Sequence, residues 1–163
     1  MPLPTGTPAP AFRLRRDDGT EVQLAELTGD TGALLAFFKT TCPTCATAFP
    51  VYGRLAAEYG DAVPVVAIAQ DPGGVARSWL DTQGFGGPVL DDAATGYAVS
   101  RAFAITVVPT LVFVEPDGTV GDATQAWDRD VTNAWAAQLA QRSGRPAVVV
   151  STPADGRPPF RPG

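Results

Sequence analysis

Three short, unbroken apolar runs constrain this chain most. Ala33–Phe38, Val63–Ala69 and Thr110–Val114 are each the length of a strand and apolar at nearly every position, as strands covered on both faces are. Segments with helical spacing fall between and after them. Phe49, Tyr52, Ala56 and Tyr59 share one face of a helix predicted from 43 to about 59, which Pro50 should kink by deleting a backbone hydrogen bond. Val75, Ala76, Trp79 and Leu80 stripe a second helix closed by Gly84–Gly87, and Val131, Trp135 and Leu139 mark a last one from about 128 to 142. A short strand near Pro88–Leu90 and a helix near Ala94–Ala102 complete the middle of the chain. Upstream, Phe12–Arg15 and Val22–Leu24 alternate around Asp17-Asp18-Gly19-Thr20, which predicts a β-hairpin. Glu115-Pro116-Asp117-Gly118 turns the third run back toward Thr119-Val120. This order predicts an α/β fold with a central mixed β-sheet and helices on both faces. Residues 1–145 are read as one domain. Residues 146–163 lose the periodicity and gain prolines, and are expected to form a tail in which Val148–Val150 offers an edge pairing.

The only two cysteines, Cys42 and Cys45, follow directly on the first apolar run. With Pro43 at the first helical position they stand one turn apart, close enough for a disulfide to form and break without moving the backbone. The helix N-terminus favours a thiolate at Cys42, and Cys45 is carried one turn inward. A redox dithiol is the leading reading, against two incidental buried cysteines. Zinc is the other alternative. The chain has no histidine and no second cysteine pair, so a zinc site would need two chains sharing the ion.

Composition narrows the function further. A chain of 163 residues with 45% hydrophobic and 18% charged residues suits a globular domain, and a net charge of −5 does not suggest a nucleic-acid surface. Without histidine, Ser-His-Asp and Cys-His catalysis are excluded. Lys39, the only lysine, lies three residues before Cys42 and is a candidate modulator of its charge. No apolar stretch reaches the ~18–20 residues of a transmembrane helix. The chain as it stands is expected in the cytoplasm, and outside it if a leader has been removed.

The order of elements, together with Gly6-Thr7-Pro8-Ala9-Pro10-Ala11-Phe12-Arg13-Leu14, Gly19-Thr20, Leu24-Ala25-Glu26-Leu27, Cys42-Pro43-Thr44-Cys45, Phe49-Pro50, Val108-Pro109-Thr110 and Glu115-Pro116-Asp117-Gly118, resembles the thioredoxin superfamily. Within it the chain is similar to the redoxin branch of TlpA and ResA-type thiol-disulfide oxidoreductases and AhpC/TSA peroxiredoxins. The resemblance implies a thioredoxin-like three-layer fold with the hairpin as an N-terminal extension. It also implies that Pro109 is a cis-proline facing the dithiol, and that Val108 offers backbone hydrogen bonds to a bound peptide. Thr41, Pro43 and Thr44 then flank the sulfurs where a substrate would lie. Three positions depart from the pattern. Thr41 replaces the tryptophan usual before the first cysteine, and Ala36 and Ala48 replace the two acids that serve the second thiol in thioredoxins and ResA-like proteins.

Three functions are compared. In a thiol-disulfide oxidoreductase Cys42 attacks and Cys45 resolves, with a protein thiol or disulfide as substrate, a separate electron donor, and no cofactor beyond a redox-active Cys42–Cys45 disulfide. In a thiol peroxidase Cys42 is oxidised by peroxide. Leu35, Lys39 and Val108 stand where peroxiredoxins have the proline, threonine and arginine of their site, which favours the first reading. A non-catalytic binding protein on the same fold is the third.

Overall fold

The computed structural model describes residues 1–163. β1 (Arg13–Arg16) and β2 (Glu21–Gln23) form the hairpin, with Gly19 at φ +86 supplying the left-handed turn position. A single-turn helix, α1 (Leu24–Thr28), follows, beginning at Leu24 where the alternation predicts strand. Gln23 and Glu26 close a reciprocal capping box there, so two backbone N–H groups find partners within four residues. Next come β3 (Ala33–Phe38), α2 (Pro43–Tyr59), β4 (Val65–Ala69), α3 (Gly73–Gln83) and β5 (Val89–Asp91). After α4 (Ala98–Ala102), β6 (Thr110–Val114) and β7 (Val120–Gln125) form the second hairpin, and β8 (Trp127–Asp128) leads into α5 (Arg129–Ser143).

Seven strands make one mixed sheet in the order β2-β1-β5-β4-β3-β6-β7. β3, β4 and β5 run parallel, and β1 and β6 pair antiparallel on either side of them. The hairpin is therefore the sheet's own edge, joined through Arg15↔Asp91 and Arg16↔Leu90. Alternation splits β3 between two cores. Leu34, Ala36 and Phe38 pack with α2, α3 and α5, whereas Ala33, Leu35 and Phe37 pack with α1, α4 and the hairpin. Helices thus cover both faces in the thioredoxin-like arrangement. No helix is long and apolar enough to cross a membrane.

One expected helix differs in extent. The helix near 94–102 begins only at Ala98, because Gly96 and Tyr97 both take left-handed φ values near +68 and break the run. Buried Asp92 caps it instead, accepting from Val99 N (3.1 Å), Ser100 N (2.7 Å) and the hydroxyls of Thr95 and Ser100. α2 runs continuously through Pro50, which removes one internal hydrogen bond without ending the helix.

Residues 146–163 lie against the domain through hydrogen bonds, with only Val150 and Ser151 buried. Val148–Val150 joins no sheet edge, since side chains take up its backbone groups first. Val148 N donates to the Tyr59 hydroxyl, Val150 N to Asn133 Oδ1, and Arg54 donates to Val150 O. A 3-10 turn at Pro153–Asp155 follows, and β9 (Phe160–Arg161) then pairs antiparallel with β8.

Candidate functional site

The register of β3 against β4 places the site. Phe38 pairs with Ala69, so the loops leaving both strands emerge side by side at the carboxyl edge of the sheet. Two residues beyond that pair, the Asp71 carboxylate accepts the Thr40 N–H at 2.7 Å and pins the loop before the cysteines. Cys42 is the N-cap of α2. Its own N–H donates to Lys39 O (3.1 Å), and its sulfur accepts the Cys45 N–H at 3.2 Å. From the opposite side the Cys42 thiol donates to Val108 O at 3.4 Å, and the Val108–Pro109 peptide is cis.

The two sulfurs meet different surroundings. Cys42 is half-buried, and Cys45 lies at 0% exposure among the core residues of α2. Burial pushes the Cys45 thiol far up. The Lys39 backbone N–H offsets part of that rise, and the nearby Cys42 and Asp71 add to it. Tyr52, wholly buried one helical face further on, is pushed up by burial and by the charge of both sulfurs. Both cysteines are free thiols.

The other expected site residues are distributed around this centre. Thr41 and Pro43 are exposed beside Cys42, whereas Thr44 is only 4% exposed and its hydroxyl donates to Pro162 O at 2.5 Å. Pro109 is buried behind Val108. Lys39 lies exposed just past the end of β3, where its carbonyl accepts the Cys42 N–H and its backbone N–H reaches the Cys45 sulfur. Ala36 and Ala48 are fully buried, so no carboxylate occupies either position.

Three features were not singled out from the sequence. Asp71 lies just past the second apolar run, and the equal offset from two parallel strand ends was the signal that could have placed it beside Thr40. Tyr52 was read only as a core residue. Pro162 and Gly163 carried no signal at all.

With this geometry in hand, comparison with known proteins is informative. The AhpC/TSA family matches residues 5–123. The thioredoxin-like protein YneN of Bacillus subtilis (strain 168) is 27% identical over 121 residues, which is 72% of this chain and 69% of that protein. A secreted Mycobacterium tuberculosis disulfide oxidoreductase homologous to E. coli DsbE superposes with a TM-score of 0.64 at 25% identity, covering 80% of this chain and 95% of that one. A Chlorobium tepidum chain assigned as thiol:disulfide interchange protein DsbE superposes with a TM-score of 0.75 at 24% identity, covering 87% of this chain and 99% of that one, a likeness of fold.

Proposed function

The chain belongs to the AhpC/TSA family, and from that membership and the geometry around Cys42 we propose that it is a thiol-disulfide oxidoreductase in which Cys42 attacks and Cys45 resolves. One observation carries the reading. The half-buried sulfur sits at the N-cap of α2 with an amide donor aimed at it, while its partner is buried a turn deeper. Cys42 thiolate attacks one sulfur of a substrate disulfide. A new S–S bond forms, and the second substrate sulfur leaves as a thiolate. Cys45 then loses its proton and attacks Cys42, closing the Cys42–Cys45 disulfide and releasing the first substrate sulfur. Two electrons pass from the dithiol to the substrate, and an external dithiol donor restores it; run backward, the same steps oxidise a substrate dithiol.

The Cys45 N–H and the free end of α2 suit the negative charge that Cys42 carries when it attacks and when it leaves. The Val108 carbonyl beside the sulfur is an acceptor for the backbone of an extended polypeptide. The geometry supports disulfide exchange over peroxide turnover. Lys39, at the threonine position, is exposed just past β3, and Val108, at the arginine position, turns its carbonyl to the sulfur, so neither offers the hydroxyl or guanidinium that polarises a peroxide. A cytoplasmic or an extracytoplasmic setting fits this chemistry, and one relative is a secreted enzyme.

Removing the second thiol tests the order of attack. Cys45→Ser, incubated with insulin under non-reducing conditions, should accumulate a mixed disulfide through Cys42 that reductant releases, and Cys42→Ser should accumulate little. Equal capture by the two variants, or none by either, would sink the reading.

A further inference from the structure

Residues 157–163 lie across the mouth of the dithiol. Gly156, at φ +76, turns the chain back over α2. The Arg157 side chain then donates to Thr47 O (2.8 Å), and Arg161 to Thr47 Oγ1 (3.2 Å). On the other flank, Trp127 Nε1 donates to Pro158 O (2.8 Å), Arg129 N donates to Pro159 O (3.0 Å), and β9 pairs with β8. Pro162 O takes the hydroxyl of Thr44, one of the two residues between the cysteines. Gly163 lies against the loop that faces Cys42. A Cβ built on it would come within 2.8 Å of Val108 O, the carbonyl that Cys42 touches, and 3.2 Å of Val107 Cβ.

We propose that residues 157–163 are a strap occupying the path a substrate polypeptide takes across Cys42, so that the strap must lift before a protein disulfide can reach the sulfur. The inference rests on the proposed dithiol exchange for its purpose, though the strap's position stands apart from it. Two features separate a strap from a fixed wall. Its hold is polar and made largely through backbone carbonyls, and every residue from Pro158 to Gly163 is exposed, with Phe160 at 54%. Directly before it the chain is anchored. Val150 and Ser151 are buried, and Arg129 donates to the Ser151 hydroxyl, to Asp155 and to Arg157 O. A firm anchor followed by a weakly held stretch lets the strap open while the fold stays closed. Gly163 also brings backbone close to Val108 O, the carbonyl available to the backbone of a substrate polypeptide.

Two full-length variants loosen the strap at different points. Arg157→Gln with Arg161→Gln removes both arginine contacts to Thr47. Gly163→Val forces a clash at Val108 O on an exposed residue that packs into no core. Reduced protein is treated with a bulky polyethylene glycol maleimide and, separately, with iodoacetamide, and insulin reduction is followed in parallel. Release of the strap should raise maleimide labelling of Cys42 and insulin reduction by about three- to tenfold, the gain available when a minor open state becomes the major one. Iodoacetamide, small enough to pass the strap, should change by less than about twofold on the same argument. Maleimide labelling at the wild-type rate in both variants overturns the strap, and so does an equal rise with both reagents, which would mark altered sulfur reactivity. If labelling rises but neither wild type nor variant reduces insulin, the strap stands and the oxidoreductase reading falls.

Discussion

Residues 33–59 present the two thiols and residues 146–163 run back along α2 to cover them at 157–163, and the two stretches are held by different forces. Every residue of β3 is wholly buried, as are Cys45, Ala48, Phe49 and Leu55 of α2, so the first stretch is fixed by apolar area removed from water. In the second only Val150 and Ser151 are buried, and its backbone is held by Tyr59, Arg54, Asn133, Trp127 and Arg129, each through a named hydrogen bond. A part-buried hydrogen bond of this kind contributes a net ~0.5–1.5 kcal/mol. The dithiol therefore sits on a rigid base beneath a cover that can be exchanged for another polypeptide.

The sharpest way to break this contrast is to truncate one aromatic in each stretch. Phe49 is fully buried, with ring centroids of Phe38, Tyr52, Trp79 and Phe85 at 4.6, 5.1, 5.6 and 5.6 Å. Phe49→Ala should cost about 3–5 kcal/mol of unfolding free energy. Phe160→Ala, on the exposed β9, should stay within about 0.5 kcal/mol. Urea unfolding of both variants checks the pair, and losses of similar size would mean that 146–163 belongs to the same cooperative core.

The same contrast explains what could be read from the chain. β3, β4 and β6 were legible because burial on both faces leaves an unbroken apolar run, and α2 was legible because Phe49, Tyr52, Ala56 and Tyr59 repeat at helical spacing. Cys42 and Cys45 were legible because strand, CxxC and Pro43 are contiguous. The hydrogen bonds that hold 146–163 are not. Asn133 to Val150 or Thr44 to Pro162 joins residues far apart in sequence, and a single polar pair leaves no period. α4 was overextended for a similar reason, since its start is set by the Asp92 side chain reaching Val99 and Ser100.

A smaller effect is expected from the anchor itself. Arg129 is 8% exposed and its guanidinium serves Ser151 Oγ (3.2 Å), Asp155 Oδ1 (3.4 Å) and Arg157 O (2.6 Å). Arg129→Ala leaves all three acceptors short of a donor and should cost about 1–3 kcal/mol, between the two Phe variants. Hydrogen exchange should rise at 150–157 and stay unchanged in β3. Arg129→Lys should rescue only part of the protection, because one ammonium cannot reproduce the planar fork. A loss of protection spread evenly over β3 would erase the distinction between base and cover.

The smallest expected effect is a pH dependence confined to the cover. Partial burial pushes the Asp155 carboxyl up. Hydrogen bonds from the Ser151 hydroxyl (2.6 Å) and Arg157 N–H (2.9 Å), with the charges of Arg157 and Arg129, outweigh that and hold it below the ordinary carboxylate value of 3.8. A carboxylate depressed on folding adds stability above its unfolded value, and that stability is lost as the pH falls through its folded value. Between pH 6 and pH 3, once the intrinsic exchange rate is allowed for, amide protection at 151–157 should fall before protection in β3 does. In Asp155→Asn the protection should already be reduced at pH 6, and the excess loss on acidification at 151–157 should disappear. The same acid profile in both proteins would assign the effect to another carboxylate and leave the cover held by Arg129 and the backbone bonds alone.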